Sequence, residues 1–445
     1  MRVRFFCLPI ILLATRFAGG DARPWAGPPA NRVGIVCTTR GPIELPSLWG
    51  ELAILRDPAP DGPGDAGFGF TSALSTDGST LLIGYQNSKA IVYTRVGNAW
   101  TNQVELDDPN GPEAFGQAVA VSADGEVLAV GASLATPANG PISAGRVYLY
   151  ERSGGTWLLQ TQLENPGAEG GNVAFGASVA LDNGGNVLAV GSTAPGKVYI
   201  FTRNAGNWVQ TAELDSPQAF TVHFGNAVSL SGDGLYLAVG ADETVVKHRF
   251  GKGRVYVFVS GGHPATWTLQ ATLRYPGRLR SPFFGNALAM TNDGARLIVG
   301  APLAFQAGKR NYAYVYAQSA GRWRLESTIP SRYLGDLFGS SVAIDVHGTT
   351  ALIGDSLRGN VAASRSLPGA GGVPCGRAYA FTRNGRKWVL STEFVNPDTG
   401  AFLGQSVAVS GDGATAVVTA QASVPFDPDT GDPGPGITYI YQRSR

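Results

Sequence analysis

The sequence predicts an all-β fold, a seven-bladed β-propeller of four-stranded antiparallel blades. Three observations predict it. A nineteen-residue pattern recurs: FGQAVAVSADGEVLAVGAS from Phe115, FGASVALDNGGNVLAVGST from Phe175, FGNALAMTNDGARLIVGAP from Phe284. Each copy is followed by two further strand-like runs, the second headed by Trp. The copies number seven; the last lacks its fourth strand, and an unattached fourth strand precedes the first.

The first strand opens on Phe68-Gly69, Phe115-Gly116, Phe175-Gly176, Phe224-Gly225, Phe284-Gly285, Phe338-Gly339 or the degenerate Leu403-Gly404. Its apolar residues alternate with small ones, as in AVAVS, which is a strand with two different faces. Ten residues after the first position of each pair stands a Gly, in most copies within Asp-Gly. That is a tight-hairpin signal, because Gly accepts the positive φ the turn demands. The second strand is a nearly continuous apolar run. It ends sixteen residues after the first position at Gly84, Gly131, Gly191, Gly240, Gly300, Gly354 or Thr419. Third strands read RVYLYER, KVYIFTR, RVYVFVS, AYVYAQS and AYAFTRN, with AIVYTRV in the first copy and TYIYQRS in the last. Fourth strands begin at Trp100, Trp157, Trp208, Trp267, Trp323 and Trp388.

The unattached strand, SLWGELAILRDP, carries Trp49. It is expected to pair with Thr438–Gln442 and complete the last blade. Closure removes two unpaired sheet edges, which template aggregation. The seven Trp and the six Phe of the Phe-Gly pairs repeat at fixed strand positions. They are read as packing anchors between blades, not as sugar-stacking platforms.

Composition agrees with many short strands and turns: 61 Gly, 28 Pro and 15% charged residues in 445. A net charge of +1 supplies no global field to recruit nucleic acid or a membrane surface. At the N-terminus, Arg2 and Arg4 precede an apolar run, Phe5 to Ala14, and then small residues. This is the layout of a secretory signal, too short to span a bilayer. Expected boundaries are a signal over 1–22, an extension over 23–44 and the propeller over 45–445, in a secreted or periplasmic protein. No later segment is apolar enough for membrane insertion. Cys7 would leave with the signal, and pairing of Cys37 with Cys375 stays open.

The literal Phe284-Gly285 and Gly300-Ala301-Pro302 resemble the FG-GAP repeat of integrin α-subunit propellers, and the resemblance covers roughly residues 45–445. It implies a seven-bladed propeller and extracellular recognition or adhesion. Many family members carry a calcium loop, Asp-x-Asp/Asn-x-Asp-Gly-x-x-Asp, in the first hairpin. Here Asp124-Gly125 persists, while the ligand positions hold Ala120, Ser122 and Leu128, and Asp182 and Asp345 stand isolated. The chain therefore resembles the calcium-depleted branch. No cofactor is expected, and no calcium in the first-hairpin loops.

Four His, at 223, 248, 263 and 347, form no catalytic constellation, so a non-enzymatic protein is expected. The metal candidates are His223 and His248 beside Asp242 and Glu243, and Asp427, Asp429 and Asp432 in FDPDTGDPGPG. For the latter, a polar surface loop is the plainer reading. The alternative functions are a carbohydrate-active or other hydrolytic enzyme, or a structural cell-surface or matrix component.

In a four-stranded blade, the second-to-third and blade-to-blade loops share one face. Those loops vary most in length here, so recognition is expected there. Their charges are sorted. Lys247, Arg249, Lys252, Arg274, Arg278, Arg280, Lys309 and Arg310 belong to blades four and five. Asp57, Asp61, Asp65, Asp107, Asp108, Glu113, Asp398, Asp427, Asp429 and Asp432 lie around blades seven, one and two. The first group is the candidate binding surface for an anionic extracellular protein or glycan.

Overall fold

The computed structural model describes residues 48–58, 67–86, 89–111, 114–136, 143–167, 173–194, 196–218, 221–246, 249–262, 266–277, 283–302, 309–333, 337–356, 376–395, 401–422 and 436–444. The signal-like segment, all three Cys and the Asp427, Asp429 and Asp432 loop lie outside these residues. Regular structure among the described residues is entirely β. None of it is a helix long and apolar enough to cross a membrane.

Seven four-stranded antiparallel sheets form the blades. The first blade comprises Thr71–Leu74, Thr80–Gly84, Lys89–Val96 and Ala99–Asp107. The second comprises Phe115–Val121, Val127–Ala132, Arg146–Ser153 and Thr156–Glu164, and the third Phe175–Leu181, Val187–Ser192, Lys197–Asn204 and Asn207–Asp215. The fourth is built of Val228–Leu230, Tyr236–Ala241, Arg254–Ser260 and Trp267–Arg274, the fifth of Leu288–Met290, Arg296–Ala301, Tyr312–Ser319 and Arg322–Pro330. The sixth holds Val342–Ile344, Thr350–Asp355, Arg377–Asn384 and Lys387–Val395. The seventh takes Ala401–Val409, Thr415–Ala422 and Ile437–Arg443 from the end of the chain and Trp49–Arg56 from near its start. In that last pair Gly50 faces Gln442 and Leu55 faces Thr438, so the N-terminal strand closes the ring. First strands touch first strands from blade to blade, and the seventh touches the first, which places them around the axis.

Two-faced strands explain the packing. Seven apolar clusters each join residues of two adjacent blades, one cluster per seam. The Phe of each Phe-Gly pair is at most 1% exposed. It meets a third-strand Tyr edge to face: Phe115 and Tyr148 are 5.3 Å apart, Phe338 and Tyr379 5.4 Å. In the first blade the third strand offers Ile91 at that place, and Tyr85 from the end of the second strand substitutes, 5.5 Å from Phe68. Each Trp lies in or against the cluster shared with the preceding blade. Trp323 Nε1 donates to Gln270 Oε1 of the preceding blade at 2.8 Å, and Trp157 Nε1 to Gln103 Oε1 at 3.3 Å.

Fixed spacing between the Phe-Gly and the distal Gly has a steric cause. The carbonyl of each Phe-Gly glycine lies against the Cα of the distal glycine in the preceding blade. A Cβ at Gly131 would sit 2.1 Å from Gly176 O, and one at Gly240 would sit 2.1 Å from Gly285 O. At the closing seam Thr419 occupies this place, 3.1 Å from where a Cβ on Gly69 would be.

Backbone hydrogen bonds tie neighbouring first-hairpin turns across six of the seven seams, all but that between the fifth and sixth blades. Thr76 N donates to Ala123 O, Ala123 N to Asn183 O and Asn183 N to Gly232 O, each at 3.0 Å. Gly232 N continues to Asn292 O at 2.9 Å, Val346 N to Gly411 O at 3.3 Å, and Gly411 N returns to Thr76 O at 2.7 Å. Side chains of neighbouring turns crowd the glycines between them. A Cβ at Gly232 would meet Asn183 Nδ2 at 2.5 Å and Asn292 Cγ at 2.8 Å. One at Gly411 would meet Thr76 Cγ2 at 2.3 Å and Val346 Cγ1 at 2.9 Å.

Candidate functional site

The hairpin turns satisfy themselves. Asp77 Oδ1 accepts hydrogen bonds from Ser75 Oγ and, at 2.9 Å, from the Ser79 amide. The Ser122–Asp124, Ser231–Asp233, Thr291–Asp293 and Ser410–Asp412 turns repeat the arrangement. Burial pushes the Asp77 carboxyl up, but the Ser75 and Ser79 hydrogen bonds outweigh it and hold it below the ordinary carboxylate value. In the third and sixth blades Asp182 and Asp345 take the position of the Ser, each accepting two turn amides. Burial raises the Asp182 carboxyl, against those amide bonds. The carboxylates are thus committed to their own turns. Accordingly, a calcium chelator is expected to leave the thermal midpoint of the protein unchanged. A bound ion would stabilise the native state by linkage, so a drop of several degrees would overturn this expectation.

On the opposite face, the structure adds an element to the fourth blade. Thr221–Val222, Glu243–Val246 and Arg249–Phe250 form a small three-stranded sheet, joining the blade-to-blade loop to the second-to-third loop. Arg249 lies in it, and Lys247 falls in the connection, outside the described residues. Next to it, His223 Nδ1 and Asp242 Oδ1 are 3.1 Å apart. His248 lies outside the described residues. Among those described, no three His, Cys, Asp or Glu gather as a metal site.

The structure places the remaining basic candidates as follows. Arg274, Lys309 and Arg310 are exposed. Lys252 is exposed as well, its ammonium 5.8 Å from the Tyr275 ring centroid and donating to Gly277 O at 3.0 Å. Arg278 and Arg280 lie outside the described residues.

Two of the acids expected on the opposite arc are not free surface charges. Asp57 is 8% exposed and lies beside Tyr85, whose ionisation is pushed far up by burial and by that carboxylate. Asp108 accepts from the Tyr148 hydroxyl at 2.6 Å, and that phenol is raised to about 12 by burial first and Asp108 second. Each is a blade-to-blade loop acid capping a Tyr of the blade that follows. Asp107 alone of the described members of that arc is exposed.

Sequence reasoning also missed a periodic ion pair. At the long-loop end of the third strand stands Lys89, Arg146, Lys197 or Arg377, opposed by an outer-strand acid. Lys89 meets Glu105 at 3.7 Å, Arg146 meets Glu164 at 3.1 Å, Lys197 meets Asp215 at 3.2 Å as well as Glu213, and Arg377 pairs with Glu393. The signal for it was a cation opening the third strand and an acid closing the fourth. The chain matches no protein-family model and no curated protein.

Proposed function

We propose that this chain is an exported, non-enzymatic recognition module that binds an anionic extracellular protein or glycan through the long-loop face of its propeller. The carrying observation is the exposure of Arg274, Lys309 and Arg310 at the long-loop end of blades four and five. Loops on a rigid scaffold that differ in length and charge are where recognition resides, and the opposite face is spent on its own turns. The Phe-Gly and Gly-Ala-Pro elements, similar to the FG-GAP repeat, favour an extracellular role, as does the signal-like N-terminus. The hydrolytic alternative needs a nucleophile or acid pair converging with His223 and Asp242, which are 3.1 Å apart.

Binding of the purified protein to glycan arrays and to matrix proteins, at low and high salt, tests the reading. Reversing charge in the Lys309→Glu/Arg310→Glu protein should weaken binding about tenfold. Arg386→Glu/Lys387→Glu, on the exposed third-to-fourth turn of the other face, should leave it unchanged. Lys89 and Arg203 do not serve as controls, because they pair with Glu105 and Glu151. Equal binding by both variants, or indifference to salt, refutes the proposal.

A further inference from the structure

In the fourth blade the periodic ion pair is broken. Arg254 holds the position that Lys89, Arg146 and Lys197 hold in the first three blades, but the residue directly opposite it is Arg274. In those blades the corresponding pairings are Lys89 with Asp107, Arg146 with Glu164 and Lys197 with Asp215. Two positions further in, where the third blade has Glu213, the fourth has Thr272. Two like charges at directly opposed cross-strand positions repel.

Among the described residues no other group compensates. Arg254 Nη1 is buried without an acceptor, and no carboxylate among the described residues pairs with the guanidinium. Ala241 pairs with Arg254 on its other side; Asp242, the next residue, gives its carboxylate to His223. The acids of the third blade, Glu213 and Asp215, are held by Lys197. Across the seam the third blade presents apolar Val198 and Leu214 to this side of the fourth. A half-buried guanidinium with an orphaned nitrogen, beside a second guanidinium, is a costly arrangement unless an anion completes it.

We propose that Arg254 and Arg274 form a carboxylate-binding site, and that its ligand is the acidic side chain of a partner protein. The repeat supplies the template. In three other blades an Asp or Glu side chain carried on an extended strand fills this place, so an external one meets two guanidinium groups where those blades offer one cation. The inference deepens the reading of the long-loop face as a recognition surface and rests on it.

The probe is a fluorescein-labelled peptide of alternating Glu and Ser, followed by anisotropy against the full chain, with oligoglucuronate as a competitor. Variants of equal charge change separate a site from a general field. Arg254→Gln and Arg274→Gln should each weaken peptide binding at least tenfold, and Lys309→Gln about twofold. Arg274→Glu should abolish binding while the thermal midpoint holds or rises, because it restores the pairing of the other blades; that control excludes misfolding. Equal, small losses in all three Gln variants overturn the site and leave the broader face intact. Tight oligoglucuronate binding with no peptide binding overturns the choice of partner. Absence of any binding removes both this inference and the reading beneath it.

Discussion

A protein lacking residues up to Leu55 is expected to melt well below one that begins at Pro46, and to aggregate on heating. The deleted strand contributes Trp49 and Leu55, 4% and 8% exposed, and Trp49 sits 6.1 Å from Phe394 of the neighbouring blade. Loss of a buried Trp and a buried Leu costs about 5 kcal/mol together. That is comparable to the whole stability of an ordinary domain. The deletion also uncovers the backbone edge of Ile437–Arg443, which now ends its sheet. Differential scanning calorimetry and size-exclusion chromatography of the two proteins decide the matter. If they melt together and both remain monodisperse, the N-terminal strand does not hold the ring closed.

The second large effect is expected at a seam. Gly131→Ala or Gly240→Ala places a methyl group 2.1 Å from a backbone carbonyl oxygen of the next blade. A flexible side chain would yield, but this oxygen belongs to the Phe-Gly turn, whose Phe (Phe175 or Phe284) is wedged on the third-strand Tyr. The blades must separate, at a cost of about 3 kcal/mol. Gly50→Ala, where nothing lies within 4 Å of the new Cβ, serves as the control and should be near neutral. Urea unfolding with an unchanged slope reads the difference. Seam variants no less stable than the Gly50 variant would sink the steric account of the sixteen-residue spacing.

Strand order and ring closure were legible because they rest on local, repeated signals. Period-two alternation marks the first strands, Asp-Gly marks the turns, and counting Trp49 with the other six heads closes the ring. The site was less legible, for a physical reason. Whether a charge is free depends on which residue of a distant strand stands opposite. The third and fourth strands of the first six blades pair across a bulge, as at Val92/Tyr93 and Val257/Phe258. A shift of one residue exchanges the faces, so sequence alone does not tell that Lys89 is buried beside Glu105. Asp57 is hidden for a similar reason, because its Tyr partner comes from the end of a second strand and not from the third. The two- and four-residue strands of the small sheet in blade four are too short to show any period.

The consequence of the turn-to-turn hydrogen bonds reaches beyond turn geometry. Asn183 and Asn292 crowd Gly232, and Thr76 and Val346 crowd Gly411, so neighbouring turns at that end are held together by side-chain packing as well as by peptide bonds. These ties also set how the ring can breathe. Splaying the blades at the turn end breaks several peptide hydrogen bonds at once, while at the far end the seams are crossed by side-chain bonds such as Thr71 Oγ1 to Gly116 O and Ser178 Oγ to Gly225 O. Thermal opening should therefore resemble an iris that pivots on its base and widens at the rim, where Arg274 and Arg310 sit. Amide exchange should show it as slow protons at Ala123, Asn183 and Gly232 beneath faster ones at the rim.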